Sequence, residues 1–128
     1  LFNWLRPHIQ GSKCIDLFAG SGSLGFEALS QGALEVTMLE NDGKTFECLV
    51  ENSGDFNARA KLHHGNAIDF LNRTNESYDI AFVDPPYSRP DLIDSAIQQI
   101  TQKKLITKEL WSLPCTFLKQ LKKFLKIY

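Results

Sequence analysis

Cys14-Ile15-Asp16-Leu17-Phe18-Ala19-Gly20-Ser21-Gly22-Ser23-Leu24-Gly25 is the stretch whose reading decides the fold. A short apolar run carries an acid and an aromatic, breaks at a glycine turn and passes into a helical pattern. The run from Lys13 to Phe18 predicts a strand buried on both faces, as in a parallel sheet. Gly20, Gly22 and Gly25 match G-x-G-x-x-G, which alone only hints at a nucleotide site. A helix is expected from Ser23 to Ser30, stopped by Gly32.

Working outward, the same alternation recurs. Glu35 to Glu40 reads as a second strand. Asp42 caps a helix from Gly43 to about Glu51, with Phe46, Leu49 and Val50 inward. Ala60 to His64 is a third strand, followed by Gly65-Asn66-Ala67 and a short helix. Tyr78 to Val83 is a fourth strand, Asp84 opens the loop after it, and Asp91 to Gln102 is helical by spacing. Such alternation predicts an α/β, Rossmann-like fold: a mostly parallel sheet with helices on both faces. Before it, Leu1-Phe2-Asn3-Trp4-Leu5 reads as the end of a helix. Beyond Leu105 the pattern degrades. Leu110 to Thr116 is expected as a strand broken by Pro114, and Phe117 to Leu125 as a basic amphipathic helix.

Length and composition narrow the classes. With 128 residues, 43% hydrophobic and 23% charged, the chain reads as one soluble globular domain. No apolar run reaches the roughly 20 residues of a membrane helix, and no secretory leader is recognisable. Cys14, Cys48 and Cys115 are odd in number and widely spaced, which fits thiols in a reducing, cytoplasmic compartment. The net charge of −1 is unevenly spread. Residues 1–102 carry 7 Lys/Arg against 14 Asp/Glu, and residues 103–128 carry 7 Lys against Glu109 alone. An acidic body grips a polyanion poorly. The division expected is 1–110 for the body and 111–128 for a divergent basic tail.

In an open parallel sheet the ligand lies outside the carboxyl ends of the strands. Four such ends converge here: Asp16-x-Phe18-x-Gly20, Glu40, Asn66-Ala67 and Asp84-Pro85-Pro86-Tyr87. The glycines let backbone pass close beneath a ligand. A dinucleotide would set its pyrophosphate on the helix N-terminus, but Asp16 repels phosphate and suits the amino group and cationic sulfur of S-adenosylmethionine. Glu40 can accept from ribose hydroxyls in either ligand, and Asn66 can meet an adenine edge. An NAD-dependent dehydrogenase is the weakest rival.

Asp84-Pro85-Pro86-Tyr87 is more specific. Two prolines remove donors and hold the chain extended, leaving the Asp84 carboxylate and the Pro85 carbonyl as acceptors for the two hydrogens of an exocyclic amine. Holding both N–H bonds aims the nitrogen lone pair at a methyl donor, a matter of positioning and electrostatics. Tyr87 can stack on the base. His63 and His64 are adjacent on a strand and point to opposite faces, so no metal site is expected.

Leu1 to Leu5, the phrase from Asp16 to Ser30, Glu40, Asn66-Ala67 and Phe82 to Tyr87 together resemble the bacterial RsmD-type methyltransferases. That family methylates the exocyclic amine of a guanine in 16S ribosomal RNA, using S-adenosylmethionine. The resemblance covers about residues 1–110. It implies that Asp16, Phe18 and Gly20-Ser21-Gly22 hold the methionine end of the cofactor, Glu40 its ribose, and Asn66 and Ala67 its adenine. Asp84, Pro85, Pro86 and Tyr87 would hold the target base. The partner implied is ribosomal RNA or the small ribosomal particle, met by a monomer. Amine methylation of adenine in DNA or of a protein glutamine, and a dead fragment that only binds cofactor, are the alternatives. Family members usually begin with a basic hairpin absent here, and Trp111 to Tyr128 does not resemble their ending. The expectation is weak RNA binding and low activity.

Overall fold

The computed structural model describes residues 7–54, 56–86, 88–112 and 125–127. Leu1 to Leu5, Tyr87 and the expected helix over 117–124 lie outside these residues. Strands β1 (Lys13–Asp16), β2 (Glu35–Glu40), β3 (Ala60–His64), β4 (Tyr78–Val83), β5 (Ile106–Ser112) and β6 (Leu125–Ile127) alternate with helices α1 (Ser23–Ser30), α2 (Gly43–Asn52), α3 (Ala67–Arg73) and α4 (Asp91–Lys103) as far as β5. They form one sheet in the order β3-β2-β1-β4-β5-β6. β1 to β5 are parallel, and β6 runs antiparallel beside β5. The fold is the expected α/β, Rossmann-like sheet.

The central strands carry mostly apolar side chains because both faces are covered, with Asp16 and Thr37 as buried polar exceptions. On one face Cys14, Val36, Met38, Ile80 and Phe82 meet Ala28 and Leu29 of α1 and Leu49 of α2. On the other, Ile15, Leu39, Ala81 and Val83 meet Leu71 of α3 and Ala96 and Ile100 of α4. Successive strand residues therefore feed two separate cores. Val50, expected inward, is 46% exposed: Leu49 takes the buried line of α2 and its neighbour is turned off it.

Gly25 brings α1 close to β2, since a Cβ there would lie 2.6 Å from the Met38 sulfur and its methyl carbon. Gly22 caps α1 at φ +97°, where a Cβ would meet the Phe26 ring at 2.2 Å. Both glycines serve the strand–helix turn itself.

Two differences from the expected elements have physical causes. β1 ends at Asp16, two residues early, because the chain turns when the Phe18 N–H donates to the Asp16 carboxylate at 3.3 Å. The last long strand begins at Ile106 where Leu110 was expected, paired to β4 through an irregular register between Tyr78 and Ile80. It crosses residue 110, and Leu125, expected to end a helix, opens β6 in the same sheet.

Lys103, near the end of α4, carries a bond set that spacing does not reveal. Its Nζ donates to the carbonyls of Leu71, Asn72 and Thr74 at 2.7, 3.0 and 2.7 Å, closing the C-terminus of α3. A cation there satisfies orphan carbonyls and opposes the negative end of the helix dipole. Lys103→Met is expected to lower stability by about 2–3 kcal/mol, read as a lower urea midpoint at unchanged slope. An unmoved midpoint would mean the three bonds carry no net stability.

Candidate active site

The chain runs outward from β1 to β3, then returns to place β4 on the other side of β1. The loops after β1 and β4 therefore diverge and leave a crevice at the carboxyl edge. A cavity of about 670 Å³ opens there, of a size that suits a nucleoside-type ligand. Its walls come from the loops that follow β1, β2, β3 and β4.

Main-chain bonds lock these loops together. The Leu17 N–H donates to the Phe82 carbonyl at 3.2 Å, and the Ala19 N–H to the Leu39 carbonyl at 2.8 Å. The Gly65 N–H donates to the Glu40 carbonyl at 2.9 Å. Glu40 takes the Gly20 N–H on one carboxylate oxygen and the Asp42 N–H on the other, both at 2.9 Å. Its carboxylate thus sets the glycine loop against the end of β2, with lone pairs remaining for hydroxyl donors.

Asn66 is the N-cap of α3. Its side-chain oxygen accepts from the Ile68 and Asp69 N–H groups at 2.8 and 3.1 Å. The oxygen is committed to the helix, so the side chain offers its amide nitrogen as donor, and the first-turn Ala67 N–H is a second donor beside it.

Asp16 lies at the centre of the sheet and is 1% exposed. One carboxylate oxygen accepts from Phe18, and the other is buried without a hydrogen-bond partner among the described residues. Burial pushes its pKa up to about 7, the Phe18 N–H pulls down, and the nearby Asp84 and Glu40 charges push up further. Asp84 is half-buried at the end of β4, and desolvation raises its pKa to about 6. A carboxylate left short of partners, in negative surroundings, favours an incoming cation and disfavours phosphate.

Of the residues expected at the site, Phe18, Gly20, Glu40, Asn66, Ala67, Asp84 and Pro86 line the cavity together. Asp16, Ser21, Gly22 and Pro85 do not line it. Asp16 and Pro85 are buried. Ser21 is exposed, and its carbonyl accepts from the Asn52 amide at 3.0 Å. Tyr87 is outside the described residues. Sequence reasoning missed Asn41, Asp42, Thr45 and Arg89 as lining residues. Asp42 was legible only as a helix cap, and it is one, accepting from the Thr45 N–H at 3.0 Å. His63 and His64 do face different helices: His63 meets the Phe70 ring at a 49° tilt, and His64 stacks on Phe46.

Sheet order, glycine turn and acid-lined crevice define a Rossmann-like methyltransferase fold. The family described as conserved hypothetical protein 95 matches residues 1–116. Over 110 residues the chain is 42% identical to the ribosomal RNA small subunit methyltransferase D of Buchnera aphidicola, covering 84% of this chain and 57% of that protein. The enzyme of the same name from Haemophilus influenzae is 37% identical, with 88% and 69% covered. The solved Escherichia coli protein YhhF superposes with a TM-score of 0.81 at 34% identity, over 88% of this chain and 65% of that one. The chain belongs to the ribosomal RNA small subunit methyltransferase D family. It spans about half the length of the first curated relatives it matches, 57% and 46%. Among the described residues no helix is long and apolar enough to cross a membrane.

Proposed function

We propose that the chain binds S-adenosylmethionine in this crevice and directs its methyl group to the exocyclic amine of a guanine in 16S ribosomal RNA. One observation carries the reading: Glu40, Asn66 and Ala67 share a single cavity with Asp84, so a cofactor subsite and an amine-binding loop meet. Bound there, the cofactor supplies an electrophilic methyl carbon on a cationic sulfur. The residues fit it, because the short-partnered Asp16 carboxylate and its acidic neighbours suit the positive groups of such a molecule.

Glu40 accepts from the ribose hydroxyls while it holds the glycine loop. Ala67 N–H and the Asn66 amide donate to the adenine ring. Asp84 and the Pro85 carbonyl take the two hydrogens of the target amine, which frees the nitrogen lone pair from the ring. With the methyl donor in place, Asp84 would also take the proton that the amine sheds on methylation. Tyr87, two residues after Pro85 in the sequence, is the aromatic residue we assign to stacking on the extruded base. The protein is taken to work as a monomer in the cytoplasm on RNA or on the small ribosomal particle.

The test uses labelled S-adenosylmethionine with undermethylated small-subunit particles, naked 16S RNA, duplex DNA and protein. Label recovered as N2-methylguanosine is the expected result. Label in adenine or in glutamine, or none, overturns the assignment.

A further inference from the structure

We infer that Arg89 is the residue that grips the RNA backbone beside the target base. The inference rests on the methyl-transfer reading and adds to it the contact that holds the substrate. Arg89 follows the Asp84 loop by a few residues, just before α4, and lines the same cavity. It is the one basic side chain among the described residues that do so. The other charged lining residues, Glu40, Asp42 and Asp84, are acids. An acidic crevice repels a polyanion, so a nucleotide entering it needs a counter-charge near the mouth.

The geometry prepares Arg89 for that task. Its main chain is tied on both sides: its N–H donates to the Pro86 carbonyl at 2.9 Å, and its carbonyl accepts from the Leu92 N–H at 3.1 Å. Its guanidinium lies side-on to Asp91, with Nε donating to one carboxylate oxygen and Nη2 to the other, each at 3.2 Å. Two of its five N–H bonds are thereby used, and three remain in a fixed plane. The Arg89 and Asp91 side chains are 57% and 62% exposed, so the fork is open to solvent. A phosphodiester oxygen pair matches such a fork. An ion pair this exposed contributes little to folding, which leaves orientation of the guanidinium as its consequence.

The experiment compares wild type with Arg89→Ala, Arg89→Lys and Asp91→Asn. It measures KM and Kd for 16S RNA across salt concentrations, and cofactor Kd by calorimetry. Arg89→Ala is expected to raise the RNA KM by about tenfold, and to make the slope of log Kd against log salt shallower by about 0.7, the value of one phosphate on a single strand. Arg89→Lys should keep the slope and lose about threefold in KM, because a point charge remains without the fork. Cofactor Kd should not move in either.

Unchanged RNA KM and salt slope in Arg89→Ala would overturn the inference. A weakened cofactor with unaltered RNA binding would assign Arg89 to the cofactor carboxylate and overturn it equally. An RNA loss of the same size in Asp91→Asn would reduce the pair to a brace for the start of α4. A wild-type chain without RNA binding or methyl transfer would overturn the parent reading and this one together. Wild-type transfer that Arg89→Ala leaves intact would overturn this one alone.

Discussion

Asp84→Asn lowers kcat for methyl transfer by about 10²–10³ while the Kd for S-adenosylmethionine stays within about twofold. A charged acceptor aimed at charge that develops in the transition state is commonly worth that much. Asp84 meets the requirement because it directly follows β4, borders the cavity and is half-buried. Its desolvation raises the pKa to about 6. Only the ionised form accepts its hydrogen of the amine and then the proton. Activity should therefore rise with pH through about 6 and level off above it, falling about tenfold per unit well below. Asparagine keeps the shape and one acceptor but cannot take the proton, so the variant should lose this acidic limb as well as rate. Full kcat in Asp84→Asn, or an acidic limb that survives the substitution, would remove Asp84 from the chemistry.

Asp16→Asn should melt higher than the wild type at pH 8 and bind the cofactor at least about tenfold more weakly. The sign follows from the raised pKa. Below the ordinary 3.8 the folded and unfolded states both hold the proton, and the acid costs nothing. Between 3.8 and about 7 the folded state keeps a proton that the unfolded state releases, so stability falls as pH rises. Above 7 both are ionised and the full cost is present. That cost is on the order of 2–4 kcal/mol. Removing it should raise Tm by roughly 7–15 °C at pH 8, with no gain at pH 4. The cofactor affinity of the wild type should climb over the same interval, because ionised Asp16 attracts its positive groups. Thermal melts at the two pH values and calorimetric titration test both halves. An equal Tm at pH 8 would mean that Asp16 is better solvated than its burial implies. The trade of stability for binding is the pattern expected of a functional acid.

The strand–turn–helix from Lys13 to Ser30 was legible because its signals are local: an apolar run, glycines at fixed offsets, then helical spacing. The same holds for β2, β3 and β4, whose bounds are those that alternation and punctuation predict. Given four such units, the rule that ligands sit at the carboxyl edge puts Glu40, Asn66 and Asp84 on one rim from the sequence alone. What stayed hidden depends on contacts remote in sequence. Lys103 meets α3 about thirty residues away, and Arg59 donates to the Leu29 and Ala33 carbonyls at 2.9 and 2.6 Å, closing the end of α1. Neither partner choice leaves a trace in periodicity. Asn66 was half legible: its place after β3 pointed to the rim, while its cap depends on its oxygen meeting two N–H groups of α3. Arg89 had one available signal, a cation closely following an acceptor loop. β5 was misplaced because Lys108 and Glu109 interrupt its apolar pattern, although Ile106 and Thr107 suit a strand.

The two cores give the crevice a wider reach than its lining suggests. α1 and α2 are anchored in one, α3 and α4 in the other, and the sheet divides them. A molecule seated at the switch point touches loops that belong to both. It works as a clasp across the sheet, because neither helical layer can lift away without first releasing it. Amide hydrogen exchange should then slow on both faces at once when the crevice fills, although the molecule itself lies only along one edge.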